Sequence, residues 1–274
     1  MSPRVSTRRA PARPATAIGI DVGGTGVKAA TVDVTTGELV SGRMRLRTPQ
    51  PSTPAAVIET IGLIVDSLAD QGFAGPDVPA GAGLPGVIRA GRLATAANID
   101  PSWLEVDGAA MIAERIGRRV VLVNDADAAG LAEVAFGAAR GQMGTVLVLT
   151  IGTGIGSALF SDGRLLPSTE FGHLPYRGRD AETFVSGAAR ERRGIGWKRW
   201  AREFSEYLAL LDGWFSPDLV VLGGGVSKDH AKYAKWLTCR APIVTAAMLN
   251  TAGIVGAALA AAAAPPAEGG ARGG

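Results

Sequence analysis

The sequence predicts an α/β protein of two domains, and three observations carry that expectation. A chain of 274 residues is long enough for two hydrophobic cores of ordinary size. Short apolar runs alternate with stretches whose apolar residues recur at helical spacing, the signature of strands layered against helices. The opening pattern of strand, glycine-rich turn, strand and second turn also occurs twice, over residues 18 to 39 and again from Val146 to Leu165.

Before the first apolar run lies an acid-free head with Arg4, Arg8, Arg9 and Arg13. Its Pro3, Pro11 and Pro14 argue against an amphipathic targeting helix, so residues 1–16 read as a flexible tail. Ala17 to Asp21 is the first strand, Val22-Gly23-Gly24-Thr25-Gly26 the tight turn, and Val27 to Val34 the second strand. Thr35 to Glu38 then turns the chain into Leu39 and Val40, which predicts an antiparallel meander. Ser52 or Thr53 caps the next helix, Pro54 suits its first turn, and Val57, Ile58, Ile61, Ile64, Val65 and Leu68 form its apolar face.

Ala80 to Ile88 reads as a strand broken at Gly83-Leu84-Pro85-Gly86, and Ala109 to Ile116 as a short helix. Val120 to Val123 is an apolar run short enough for a buried strand, which sets Asn124 and Asp125 at its carboxyl end, ahead of a helix from Ala126 to Phe136. In open α/β sheets ligands gather at that end, where backbone groups and helix N-termini are free.

The second copy places Gly152-Thr153-Gly154-Ile155-Gly156 after the strand Val146 to Ile151, with Asp162-Gly163 as its second turn. Two glycine turns in matching contexts suit a polyphosphate gripped from two sides. Neither fits the P-loop order or the dinucleotide fingerprint, which disfavours a nicotinamide enzyme. Later, Leu219 to Leu222 is a strand leading into Gly223-Gly224-Gly225. Gly253 to Ala264 reads as a packed terminal helix, shorter than the ~20 residues needed to cross a bilayer, so no membrane association is expected. Residues 265–274 form the second expected tail. The domains are expected at 17–124 plus 250–264, and at 125–249.

An apolar fraction of 47% with 19% charged residues excludes a disordered chain. The single cysteine, Cys239, excludes an internal disulfide and a cysteine-clustered zinc site, which suits a reducing, cytoplasmic setting. The net charge is only +3, yet Arg190, Arg192, Arg193, Lys198, Arg199 and Arg202 face a single acid, Glu191, and Lys228, Lys232 and Lys235 follow the third glycine loop. Trp197, Ala201, Phe204, Leu208, Leu211 and Phe215 form a helical stripe, so the same helix turns its basic residues outward. Those residues suit a linear polyanion. Nucleic acid is the rival ligand, without a recognisable reading module or stacking pattern to support it.

Asp21-Val22-Gly23-Gly24-Thr25, Asn124-Asp125-Ala126-Asp127, Gly152-Thr153-Gly154-Ile155-Gly156, Glu170-Phe171-Gly172-His173 and Gly223-Gly224-Gly225-Val226 occur in the order of the ROK family of repressors, open reading frames and sugar kinases. The chain resembles that family from Ile18 to about Leu259, and most of all its polyphosphate-using hexose kinases. The resemblance implies two ribonuclease-H-like domains of the actin-like ATPase class, with an active-site cleft between them. It implies transfer to the 6-hydroxyl of glucose or mannose from inorganic polyphosphate or ATP, with Mg²⁺, in a homodimer. A strictly ATP-dependent kinase and a non-catalytic sugar-sensing relative are the alternatives.

On this resemblance Asp125 is the general base, with Asp127 next in line and helix capping the bland alternative for Asp125. Asp21 serves Mg²⁺ directly or through water, unless it makes a purely structural hydrogen bond. Gly23, Gly24, Thr25, Lys28, Gly152, Thr153 and Gly154 meet phosphate. Gly223, Gly224 and Gly225, with Arg193 and Lys198, are the donor side. Gly86, Asn98, Asn124, Glu170, His173 and Glu182 surround the sugar, since hexose sites discriminate through fixed polar groups. Many relatives bind zinc through the histidine of Glu-Phe-Gly-His and three following cysteines. None lies between Leu174 and Glu182 here, so His173 is expected to be free of zinc and open to a sugar hydroxyl.

Overall fold

A computed structural model describes residues 14–96 and 98–265. The portions of the expected tails at residues 1–13 and 266–274 lie outside the described residues. The chain runs through β1 (Thr16–Gly23), β2 (Gly26–Asp33), β3 (Met44–Leu46), α1 (Pro54–Asp70), β4 (Ala80–Leu84), a hairpin of β5 (Ile88–Arg89) and β6 (Arg92–Leu93), α2 (Gly108–Ile116), β7 (Val120–Asn124) and α3 (Asp125–Ala135). It continues through β8 (Thr145–Ile151), β9 (Ile155–Ser161), β10 (Arg164–Leu166), a hairpin of β11 (Pro175–Tyr176) and β12 (Arg179–Asp180), α4 (Glu182–Val185), α5 (Gly187–Arg192), α6 (Trp197–Phe215), β13 (Leu219–Gly223), α7 (His230–Tyr233), β14 (Ile243–Thr245) and α8 (Ala252–Ala263).

The duplication read from the glycine turns is carried by the whole architecture. One sheet has the order β3-β2-β1-β4-β7 and the other β10-β9-β8-β13-β14. In each, the first three strands form an antiparallel meander and the last two add in parallel beside the first. This is the expected α/β fold with two sheet cores. The ends of these strands border two adjoining cavities, Asn124 and Gly152 lining one and Asp21 and Gly223 the other. The apolar stripe of α1 packs on the first sheet, with Ile18, Ile20 and Ile61 fully buried, and that of α6 on the second, with Leu147, Trp200 and Phe204.

The terminal helix is rich in alanine and glycine because its neighbours come within backbone contact. A Cβ on Gly19 of β1 would run into the carbonyl of Ile254, one on Gly81 of β4 into that of Ala257, and one on Gly256 into that of Ala128 in α3. Only small residues let α8 lie between the first sheet and α3 at that distance.

Two elements depart from the sequence reading. Leu39 makes an isolated bridge to Val32, but the edge strand forms at Met44–Leu46, because the Ser41 hydroxyl accepts the Thr31 amide at 2.9 Å and ends backbone pairing there. The basic stretch expected on one helix is divided between α5 and α6, broken where Gly194 takes a left-handed φ of 61°.

Candidate active site

The site is built from the carboxyl end of β7. Asn124 takes the capping role for α3, its Oδ1 accepting the amides of Ala126 at 2.8 Å and Asp127 at 3.0 Å. Its Nδ2 donates to the Gly86 carbonyl at 3.0 Å, leaving one amide hydrogen for a ligand. Gly86 holds a φ of 135°, and a Cβ there would strike the carbonyl of Thr95, so the turn needs glycine. Because Asn124 performs the capping, the half-buried Asp125 carboxylate is free on its second oxygen. Its Oδ1 accepts the Ala126 amide at 2.8 Å.

Desolvation raises Asp125 to about 6, helped by the negative charges of Asp21 and Glu170. Asp127 is 1% exposed and raised to about 7, again mainly by desolvation, with Glu170 and Asp125 adding to the shift. Its Oδ2 accepts the Ser168 amide at 2.7 Å while Oδ1 has no partner.

Asp125 lines two cavities. The first, about 380 Å³, brings together Gly23, Gly24, Gly86, Asn98, Asn124, Gly152, Thr153, Gly154, Glu170, His173, Glu182 and Gly224. It also includes Pro85, Thr95 and Thr150, which sequence reasoning did not single out. Along its wall Glu182 Oε2 accepts the Ile155 amide at 3.0 Å. Burial raises the Glu170 carboxyl, partly opposed by His173. Asp180 raises the His173 imidazole through a 2.9 Å contact with Nδ1. The loop bearing Glu170 is pinned from below, since Ser157 Oγ accepts the Phe171 amide and donates to the Thr169 carbonyl.

The second cavity, about 270 Å³, shares Asp125, Thr150 and Gly224 with the first and adds Asp21, Gly223, Gly225, Ser227, Lys228, Asn250 and Gly253. Glu133 forms part of its wall and accepts the amides of Ala247 and Met248, which fixes the segment before α8.

Five residues sit differently from the sequence reading. Gly152 cannot offer its amide to phosphate, because that N–H donates to the Gly154 carbonyl at 3.0 Å. Thr25 is exposed and lines neither cavity, and Lys28 is drawn into an ion pair with Asp21 at 2.7 Å. Arg193 and Lys198 line neither cavity. Arg193 instead grips the buried carboxylate of Glu203 through two hydrogen bonds of 2.6 and 3.0 Å, and Lys198 stands exposed on α6.

Residues 17–189 match the ROK family. The chain belongs to the ROK family. It is 44% identical over 243 residues to a polyphosphate glucokinase of Mycobacterium tuberculosis, covering 88% of this chain and 89% of that one. The crystal structure of an inorganic polyphosphate/ATP-glucomannokinase from Arthrobacter sp. strain KM superposes with a TM-score of 0.85 at 48% identity, over 89% of this chain and 97% of that one. A ROK family glucokinase from Streptomyces griseus, in complex with glucose and AMPPNP, matches with a TM-score of 0.72 at 26% identity, over 89% and 98% of the two chains.

Against this ROK background, three positioning residues went unread in the sequence: Ser157, Ser168 and Asp180. Ser168 holds a left-handed φ of 57° and hydrogen-bonds Ile88 of the first half through its hydroxyl. Nothing in its sequence context marks that role, whereas Asp180 stands two residues before Glu182 and could have been weighed as a partner for His173. Among the described residues no group of three or more His, Cys, Asp or Glu side chains is arranged to hold a metal ion, and no helix is long and apolar enough to cross a membrane.

Proposed function

We propose that this ROK sugar kinase phosphorylates the 6-hydroxyl of glucose or mannose, with inorganic polyphosphate, ATP or both as donor and Asp125 as general base. The observation that carries the proposal is that one carboxylate, raised to about 6, lines both a cavity walled by Asn98, Glu170, His173 and Glu182 and a cavity walled by glycine backbone and Asp21. A sugar in the first would present its hydroxyl to Asp125, and a donor in the second would present its terminal phosphorus beyond it.

As the hydroxyl oxygen bonds to phosphorus, its proton passes to Asp125 and the bond to the donor's bridging oxygen breaks, the remaining phosphates leaving with the electron pair. Thr153 and Gly154, with Gly23 and Gly24, line the first cavity beside Asp125, where their backbone would meet the charge that develops on the phosphoryl oxygens. Magnesium needs only one or two protein carboxylates when it arrives on phosphates. Asp21, which lines the second cavity, would supply one, and the ion would neutralise donor charge there.

The glucokinase and glucomannokinase relatives support the hexose acceptor and the polyphosphate donor. A cytoplasmic homodimer belongs to the same proposal by family habit, and sedimentation analysis tests the oligomer. A coupled assay crossing glucose and mannose with ATP and polyphosphate tests the reaction. Turnover with at least one pair supports it, and sugar binding without turnover in any pair would favour a sensing role.

A further inference from the structure

The edge of the first sheet nearest the second cavity carries unpaired positive charge. Asp21 of β1 pairs in register with Lys28 of β2, which pairs with Arg45 of β3. Residues directly opposite in a ladder share a face, so the three side chains stand in one row across the sheet. The row begins at the cavity, since Asp21 lines it, and ends at the sheet edge. Arg43 stands just before β3, two residues ahead of Arg45. Its guanidinium reaches the carbonyl of Asn250, another residue of the cavity wall, at 3.4 Å. Arg45 reaches the Thr25 carbonyl of the first glycine turn at 3.4 Å.

Both arginines are exposed, and among the described residues neither is in an ion pair. That distinguishes them from the basic cluster around α6, where Arg177, Arg193 and Arg199 already surround Glu203.

We propose that Arg43 and Arg45, beyond the Asp21–Lys28 pair, hold the distal phosphates of a linear polyphosphate whose terminal phosphate lies at Asp125. This rests on the reading of polyphosphate as a donor and names where its chain runs. A nucleoside triphosphate ends in a nucleoside after three phosphates and does not extend along the row. A long chain does, and at Arg45 and Arg43 it meets cations with no carboxylate competing for them.

The test compares wild type with the double variant Arg43→Ala/Arg45→Ala, measuring KM for long-chain polyphosphate, tripolyphosphate and ATP over a range of salt. Losing two exposed charge contacts is expected to raise KM for the long chain about fivefold to tenfold relative to tripolyphosphate. The salt dependence of long-chain binding should become shallower by about 1.4 in log–log slope, as for flexible phosphate backbones. Turnover with ATP in the same preparations reports an intact fold. A double Arg→Lys variant should restore most of the long-chain KM.

An unchanged ratio and slope in the alanine variant would overturn the track while leaving the donor reading in place. Wild-type turnover with ATP but with no polyphosphate of any length would remove the donor reading, and the track with it.

Discussion

Nδ1 of His173 lies 2.9 Å from Oδ2 of Asp180, while Nε2 of the same ring faces Oε2 of Glu170 at 3.7 Å. Asp180 ends the hairpin of β11 and β12, whose turn takes left-handed φ at Arg177 and Gly178, the pattern of a tight two-residue connection. Beyond the turn the hairpin is tied to α6 through Tyr176 and Arg177, which both bond Glu206, at 2.6 and 2.7 Å. The ring is held by a carboxylate on a stapled hairpin.

Asp180→Asn removes that charge without changing shape. Because Asp180 is the first cause of the raised His173 pKa, the imidazole should titrate at lower pH in the variant, read from its NMR signals. Sugar KM should rise about fivefold for the loss of one partly exposed charge-assisted hydrogen bond, with kcat near wild type. An unmoved imidazole titration would show that Asp180 does not set the ring.

Asp125→Asn keeps the hydrogen bond to Ala126 but cannot take a proton. General-base loss should lower kcat by about 10² to 10⁴, with sugar affinity by calorimetry little changed. In wild type the base must be ionised, so kcat should rise with pH through about 6 and level off above it. A kcat profile flat from pH 5 to 8 would place the base elsewhere.

Asp127 links pH to stability rather than to chemistry. Its ordinary value of 3.8 is raised to about 7 in the fold, so between those limits the folded chain holds its proton more tightly than the unfolded one. The resulting stabilisation is fully present below about 4 and is lost as pH rises through about 7. Wild-type Tm should therefore carry a downward slope over that window. Asp127→Asn should flatten the slope, leaving the smaller share due to Asp125. Equal slopes in calorimetry would mean that Asp127 remains ionised in its pocket.

The sequence disclosed the parts of the site that lie next to each other along the chain. Asp125 was legible because an apolar run of four residues ends two residues before it, and both glycine turns were legible because each follows a strand. Partnerships between distant residues were not. Lys28 looked like a phosphate ligand until its register opposite Asp21 joined the two. Arg193 looked available because its partner Glu203 lies on the next helix, and the break at Gly194 that turns one toward the other is a matter of backbone angle. The small residues of α8 announced close packing, but Gly19 and Gly81, which make room for it, carry no such signal in their own segments.

The fate of Arg193 gives the last prediction. Its guanidinium is bidentate to Glu203, whose side chain is 7% exposed, and also donates to the Phe184 carbonyl at 2.8 Å. Arg193→Glu sets a second carboxylate against a buried one. Arg199 remains 3.1 Å from Glu203 but is mostly exposed and offers a weaker counter-charge. Urea unfolding should show a loss of about 3 kcal/mol, the low end for stripping the partner from a buried carboxylate. Lys198→Glu, on the solvent side of α6, should change stability by less than about 0.5 kcal/mol. Neither variant should alter the ratio of KM for long-chain polyphosphate to KM for ATP in folded protein, because neither side chain reaches the second cavity. A raised ratio in Lys198→Glu at unchanged stability would return the donor path to the α6 surface and away from the edge of the first sheet.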